Sequence, residues 1–149
     1  MLAPGSVEIA GRLLVSDPVG VDLYRVDGPI VLLTHVAGLY PNDTWSGPAV
    51  TYQRVDCTAG RLAVRLQGDA RLFTRPQTVV ATAGGAVVGR ATIPVSSETT
   101  LTVPLRPAAD GRCTVRFTVG RTLVPARVEP GSIDARPLGA HFLDFRPLP

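Results

Sequence analysis

The sequence predicts an all-β fold, a two-sheet antiparallel β-sandwich of jelly-roll type. Apolar and polar residues alternate with a period of two in RLAVRLQ (61–67) and RCTVRFTV (112–119), as is typical of half-buried strands. The 15 glycines and 14 prolines disfavour helix throughout the chain. Turn signals separate the apolar segments at short intervals. Many short strands joined by turns are typical of sandwiches and barrels, and we expect a sandwich.

The predicted strands follow from this alternation and from the turns that bound them. The pair Gly84-Gly85 lies between two β-rich runs and predicts a hairpin, and Asp27-Gly28 separates two earlier candidates. The inward face of the 112–119 strand is predicted to carry Cys113, Val115, Phe117 and Val119. In chain order, the candidate strands are 7–15, 21–26, 29–36, 48–56, 61–67, 77–83, 86–93, 100–105, 112–119, 122–128 and 139–146.

Length and composition predict one globular domain over residues 1–149, with residues 1–5 and 147–149 as loose ends. No apolar run is long enough to span a bilayer, so we expect no direct membrane insertion. The N-terminal segment lacks a basic region, so we expect no export signal in this chain. All 15 basic residues are Arg, and they are scattered between apolar residues. This distribution indicates solvated strand faces and predicts no nucleic-acid partner.

The chain has two cysteines, Cys57 and Cys113. An even count in a strand-rich chain favours one disulfide in an oxidising compartment, although two separate buried thiols would also fit. The bond could tie neighbouring strands or the two sheets, and the sequence does not distinguish these arrangements. A disulfide predicts an extracytoplasmic location, at the cell surface or in a periplasm-like space.

The sequence contains no pattern of an enzyme active site. His35 and His141 both lie in apolar, strand-like segments, where a lone histidine is usually structural. Motifs for a serine nucleophile, a zinc protease or a phosphate-binding loop are absent from the sequence. Most acidic residues lie in turn-like positions. We therefore expect no enzyme activity, no cofactor and no metal site.

The segment GLYPNDTWSGPAVTY (38–52) is the candidate binding site. It holds the only Trp and two of the three Tyr in a chain with 5% aromatic residues. An aromatic ring can cover the apolar face of a sugar, and carboxylate or amide groups can bind the hydroxyls. The alternative is that these aromatics, Tyr52 above all, pack in the core beside a turn. The predicted carbohydrate-binding residues are Tyr40, Asn42, Asp43 and Trp45.

Four segments carry a resemblance to a known family: VDLYRVDGPI (21–30), GLYPNDTWSGPAVTYQRVDC (38–57), GRCTVRFTV (111–119) and ARPLGAHFLDFRP (135–147). Together they resemble the carbohydrate-binding-module-like β-sandwich of arabinosyltransferase-type enzymes. These are multi-pass membrane glycosyltransferases of GC-rich bacteria, and the region lies outside the cytoplasm. The resemblance covers most of residues 20–147. It implies an accessory domain that holds a cell-envelope glycan weakly, with catalysis in the membrane part of a longer parent protein.

Two functions therefore remain after the sequence is read. The first is a non-catalytic carbohydrate-binding domain of a cell-envelope glycosyltransferase system. The alternative is a structural or self-assembling β-sandwich interaction domain with no sugar ligand. The exposure of Trp45 distinguishes them, because a sugar site needs this ring in a groove with Asp43 nearby.

Overall fold

A computed structural model describes residues 8–16, 22–29, 32–41 and 43–149 of the chain. These residues form eleven strands and one helical turn, and the all-β prediction is confirmed. The strands are β1 Glu8–Ile9, β2 Arg12–Ser16, β3 Asp22–Arg25, β4 Leu32–Leu39, β5 Ser46–Arg54, β6 Gly60–Gln67, β7 Gln77–Ala83, β8 Ala86–Ile93, β9 Glu98–Leu105, β10 Cys113–Val119 and β11 His141–Leu148, with helix α1 at Pro125–Val128.

The strands form antiparallel sheets packed as a sandwich. One sheet has six strands in the order β1-β4-β5-β10-β7-β8, and the other has three in the order β11-β6-β9. Strands β2 and β3 form a separate two-stranded hairpin. The jelly-roll connectivity stays a prediction.

The core lies between the six-stranded and three-stranded sheets. The alternation predicted for β10 is confirmed, because Cys113, Val115, Phe117 and Val119 are all buried and the residues between them are exposed. Strand β6 likewise buries Leu62, Val64 and Leu66. The largest fully buried side chains are Tyr52, Phe117, Phe142 and Phe145. Each such aromatic stabilises the fold by roughly 1.5–3 kcal/mol relative to an exposed position.

The two cysteines form a disulfide at one end of the six-stranded sheet. Cys57 follows β5 and Cys113 begins β10, and the register pairs Cys113 with Arg54. Both cysteines are buried. The bond therefore ties the loop after β5 to the first residue of β10 at one end of the sandwich, which is called the disulfide end below.

The predicted strand over 122–128 is wrong. Leu123 forms a single bridge with Leu138, and Pro125 then begins α1. Proline has no amide hydrogen to donate to a sheet and is favourable at the first position of a helix, which explains the change. The predicted loose end at 147–149 is also shorter, because β11 pairs with β6 through Leu148. The predicted loose end at 1–5 lies outside the described residues.

The β2–β3 hairpin exposes apolar side chains that neither sheet of the sandwich covers. Val15 and Leu23 each have 57% of their surface exposed, and Leu13, Leu14 and Tyr24 are also exposed. Within the described ranges, no helix is long and apolar enough to cross a membrane.

Candidate functional site

The aromatic-rich segment makes the connection between β4 and β5. A bulge near Gly38 bends the end of β4, and a side chain at this position would collide with the Ala49 carbonyl oxygen. The Tyr40 amide then donates to the Trp45 carbonyl at 3.0 Å, and the Asp43 amide donates to the Tyr40 carbonyl at 3.2 Å. These bonds close a turn that places Tyr40, Asp43 and Trp45 at the end of the sandwich opposite the disulfide end. Asn42 lies outside the described residues.

The Trp45 ring is half-buried in this turn. Its inner side packs with Leu72, Phe73 and Leu138, which form a small cluster apart from the main core. Its ring centroid lies 3.8 Å from that of His141, with the planes tilted by 36°. Trp45 also lines a pocket of about 170 Å³. Trp45 is therefore fixed by its neighbours and still reaches an open surface.

Strand β11 brings His141 to Trp45 through a close approach of two backbones. Gly139 donates to the Ser46 carbonyl at 2.8 Å, and the Ser46 amide donates to the Ala140 carbonyl at 2.9 Å. A side chain at position 139 would lie only 2.7 Å from the Gly47 carbonyl oxygen and from Ser46 Oγ. Glycine is therefore required at this contact, which pairs His141 with Trp45.

One wall of the pocket carries an Asp-Arg pair from the loop after β6. Arg71 donates from Nη2 to Asp69 Oδ2 at 2.8 Å, and from its backbone amide to Asp69 Oδ1 at 2.8 Å. These hydrogen bonds from Arg71 lower the pKa of the Asp69 carboxyl below its ordinary value, although burial opposes the shift. Asp69 is therefore an ionised carboxylate with lone pairs to spare for a ligand hydroxyl.

A second Asp-Arg pair lies beside the pocket, and its Asp134 is one of the lining residues. Arg136 donates to Asp134 Oδ2 from Nη2 at 2.7 Å, and Nη1 of Arg136 reaches Asp43 Oδ2 at 3.2 Å. Hydrogen bonds from Arg136 lower the pKa of the Asp134 carboxyl, and Asp134 raises the pKa of Arg136 further above its usual range. The Arg136 guanidinium carbon also lies 4.8 Å from the centroid of the Tyr40 ring. This guanidinium therefore ties together the two loops that flank Trp45.

The described lining of the pocket is acidic and partly apolar. It consists of Trp45, Asp69, Arg71, Leu72, Pro125, Glu129, Ser132, Asp134 and Leu138. Three carboxylates and one guanidinium give two more negative than positive charges, so an anionic ligand is disfavoured here. No group of three or more His, Cys, Asp or Glu side chains in the described part of the chain could hold a metal ion. The arrangement offers hydroxyl acceptors beside one aromatic ring.

His141 lies beneath Trp45 and outside the pocket lining. Its Nδ1 is 2.6 Å from Thr44 Oγ1, and its Nε2 is 4.0 Å from Asp69 Oδ2. Burial lowers the pKa of His141, and this effect outweighs the opposing influence of Asp69 and Asp43. His141 is therefore neutral at pH 7, and it supports the Trp45 ring and the Thr44 hydroxyl.

Three of the four predicted site residues lie together. Trp45 lines the pocket, whereas the Asp43 carboxylate accepts from the Trp45 amide at 3.2 Å and from Arg136. The Tyr40 hydroxyl donates to the Pro137 carbonyl at 3.1 Å, and its ring faces Arg136, so Tyr40 supports the site from behind. Tyr52 is fully buried and belongs to the core, as the alternative interpretation expected.

Sequence reasoning missed four charged residues of the site, namely Asp69, Arg71, Asp134 and Arg136. His141, which the sequence analysis treated as structural, lies beneath Trp45. A signal for the four charged residues is present in the sequence. The tripeptide Asp-Ala-Arg occurs at 69–71 and again at 134–136, and both copies form the same Asp-Arg pair beside Trp45.

Comparisons with known proteins leave the function open. No protein-family model matches the chain, and no curated protein matches it by sequence. Among solved structures, the chain is similar to the EclA C-terminal domain, a sugar-binding protein, with 15% sequence identity, a TM-score of 0.44 and 89% of each chain covered. A likeness of this size says nothing about the ligand of this chain.

Proposed function

We propose that this chain is a non-catalytic carbohydrate-binding domain that holds a sugar against Trp45. The observation that carries the proposal is that a fixed, half-buried Trp45 lines one pocket together with the carboxylates Asp69 and Asp134. The apolar face of a sugar ring would stack on the indole, and its hydroxyls would donate to Asp69 and Asp134. Because Arg71 and Arg136 already hold these carboxylates, binding costs little further ordering of the side chains.

The size and charge of the pocket limit the sugar. Its volume of about 170 Å³ is below the roughly 300–1,000 Å³ of pockets that enclose drug-sized ligands. Such a pocket would hold one sugar ring of a longer glycan and leave the rest in solvent, so the affinity is weak. The excess of negative charge favours a neutral glycan over one with uronate or phosphate groups.

The proposal also includes a cellular setting for the domain, outside the cytoplasm. The resemblance to arabinosyltransferase-type enzymes supports an accessory role in a cell-envelope glycosyltransferase system. In that setting, the domain lies outside the cytoplasm and binds an envelope glycan near the membrane part of a longer parent protein. The Cys57–Cys113 disulfide is consistent with an oxidising compartment.

The Thr44–His141 pair has a structural role beneath Trp45. A hydroxyl next to an imidazole resembles part of a catalytic triad, and Asp69 lies near the other ring nitrogen. However, Trp45 covers the His141 ring, and neither Thr44 nor His141 lines the described pocket. A sugar on Trp45 would not reach the Thr44 hydroxyl. The purified chain should therefore turn over no glycoside or glycolipid, and turnover that Thr44→Val abolishes would contradict this assignment.

A calorimetric titration with matched glycans tests the binding function. The panel contains neutral arabinan, galactan and mannan fragments and a uronate-containing oligosaccharide of the same length. We expect millimolar binding of at least one neutral fragment and roughly tenfold weaker binding of the uronate fragment. Absence of binding by every neutral fragment, or equal binding of the acidic one, would contradict the proposal.

A second candidate function is self-assembly, which the β2–β3 hairpin favours. Val15, Leu23 and Tyr24 expose apolar surface on a hairpin separate from both sandwich sheets. Exposed apolar patches of this kind often mark protein–protein contacts. Light scattering at increasing protein concentration tests this function. A dimer that Leu23→Ser dissociates would support it, whereas a monomer at all concentrations would exclude it.

A further inference from the structure

A pocket of about 680 Å³ opens where the chain crosses from the three-stranded sheet to the six-stranded sheet. The crossing segment, residues 106–112, leads from β9 to β10, and it lines the pocket together with Pro104 of β9. The tip of the β7–β8 hairpin also lines it, through Ala83, Gly84 and Ala86. We call this feature the crossover pocket. It shares no lining residue with the Trp45 pocket.

The sheet register leaves room for the crossover pocket at the start of β10. The pairing of β10 with β5 begins at Cys113, whereas its pairing with β7 begins only at Arg116, opposite Thr82. On the β7 side, the register therefore pairs no described residue with positions 113–115. Thr114 lines the pocket, and so do the hairpin tip and the crossing segment. The pocket thus lies beyond the end of β7, between elements of the two sheets.

A bulge in the β7–β8 hairpin gives the crossover pocket an apolar wall. The register shifts between Ala81 and Thr82, which leaves Val88 as the extra residue of β8. A bulge re-aims a side chain, and Val88 packs against the main core, as Ala83 does on the facing strand. The rest of the apolar lining is small and aliphatic, and it consists of Ala86, Pro104, Pro107 and Ala108.

The lining of the crossover pocket carries one more positive than negative charge. It includes Arg106, Arg112 and one carboxylate, Asp110. Arg112 already holds Asp110, because its Nε lies 3.7 Å from Asp110 Oδ2 and its backbone amide donates to Asp110 Oδ1 at 3.0 Å. Arg106 is exposed and forms no ion pair with another residue in the described ranges. Its guanidinium is therefore available to an incoming carboxylate.

We infer that the crossover pocket binds a small amphipathic carboxylic acid with an aliphatic body, and that Arg106 receives the carboxylate. The volume of about 680 Å³ is within the roughly 300–1,000 Å³ of pockets that enclose small ligands. The aliphatic body would cover Val88 and the alanine and proline side chains, which removes apolar surface from water. Gln53 and Thr114 add hydrogen-bonding groups to the lining.

Two other ligand classes match the crossover pocket less well. A sugar would find no ring on which to stack, because none of the described lining residues is Trp, Tyr or Phe. A phosphate monoester carries close to two negative charges at neutral pH, whereas a single negative charge balances the lining. The preference for an acid is also opposite to that of the Trp45 pocket, whose lining has an excess of carboxylates.

An amide NMR titration of the full chain with sodium octanoate, kept below the concentration at which it forms micelles, tests the inference. We expect saturable shifts at millimolar octanoate for pocket residues such as Val88, Ala108 and Thr114, and no shift of the Trp45 indole. Octan-1-ol has the same chain without the charge and should bind several-fold more weakly. Sodium acetate has the charge without the chain and should produce no saturable shift.

Several outcomes of this titration would overturn the inference. They are equal binding of octanoate and octan-1-ol, saturable shifts with acetate, tighter binding of octyl phosphate than of octanoate, and no pocket shifts at millimolar octanoate. Octanoate shifts confined to the exposed apolar side chains of the β2–β3 hairpin would also contradict it, because they would show non-specific adsorption.

Matched variants separate recognition from folding. Ala108→Leu adds volume to the lining and should weaken octanoate binding several-fold, whereas Ala109→Leu, at the next exposed position and outside the lining, should bind like the wild type. Arg106→Gln should weaken binding roughly threefold to fivefold, as expected when an exposed ion pair is lost. Arg116→Gln removes an exposed arginine of β10 that does not line the pocket and is the charge control. Wild-type affinity in Arg106→Gln, or equal losses in a variant and its control, would refute the assignment.

Discussion

Truncating the indole in Trp45→Ala should lower both stability and sugar affinity, by amounts that follow from its half-burial. Full truncation of a buried Trp or Phe costs about 3–5 kcal/mol. Only the inner side of Trp45 packs with Leu72, Phe73 and Leu138, so we expect roughly half of that, about 2 kcal/mol. For a chain of this length, the melting temperature should fall by about 4–8 °C. The domain should therefore remain folded at room temperature.

The loss of sugar affinity in Trp45→Ala should be larger than any loss in a matched control. A stacked sugar ring that covers about 50 Å² of indole contributes about 1.3 kcal/mol, which corresponds to roughly tenfold in affinity. Tyr24→Ala is the control, because this aromatic side chain is 38% exposed on the β2–β3 hairpin and away from the pocket. Thermal unfolding and calorimetric titration of both variants give the two quantities. Wild-type sugar affinity in a folded Trp45→Ala variant would refute the stacking role.

Three further predictions follow from the same contacts. The Cys57–Cys113 disulfide joins residues 56 apart in sequence, so its reduction should lower the free energy of unfolding by about 4 kcal/mol in the chain-entropy model. A thiol titration of the denatured, unreduced protein should find no free thiol, and two thiols per chain would contradict the bond. Burial holds the folded pKa of His141 below its unfolded value of about 6.5, so its contribution to stability is complete above pH 6.5 and is lost as the pH falls through the folded pKa. The unfolding free energy of His141→Gln should therefore decline less steeply than that of the wild type between pH 7 and pH 5. An unchanged slope would contradict this. Arg136→Gln removes the contacts to Asp134 and Asp43, so it should weaken sugar binding several-fold while the melting temperature changes little. Unchanged affinity would show that Arg136 does not position these carboxylates for the sugar.

The strands were predictable because their signal is local. Alternation within 61–67 and 112–119 places each side chain on one face, and β6 and β10 follow it. The same reasoning failed at 122–128, where Pro125 stops the sheet pairing and begins a helical turn. The pairing of Cys57 with Cys113 was predicted from the even count, but the strands it joins depend on the sheet order, which alternation does not specify.

The candidate site was predictable only where it is local in sequence. Trp45 and Asp43 are two residues apart, and one turn brings them together. By contrast, His141 reaches Thr44 across 97 residues, and Arg136 reaches Asp43 across 93. These contacts depend on where β11 and the loop before it lie against the start of β5. A single sequence carries no direct signal of that register.

The indole signal of Trp45 gives the most direct test of the sugar-binding function. The chain contains one Trp, so its indole N–H gives a single resonance in a nitrogen-correlated NMR spectrum. Titration with neutral arabinan, galactan and mannan fragments to millimolar concentration should shift this resonance saturably, together with the amides of Asp69 and Asp134. An indole resonance that does not move with any fragment, in a protein that remains folded, would contradict the proposed function.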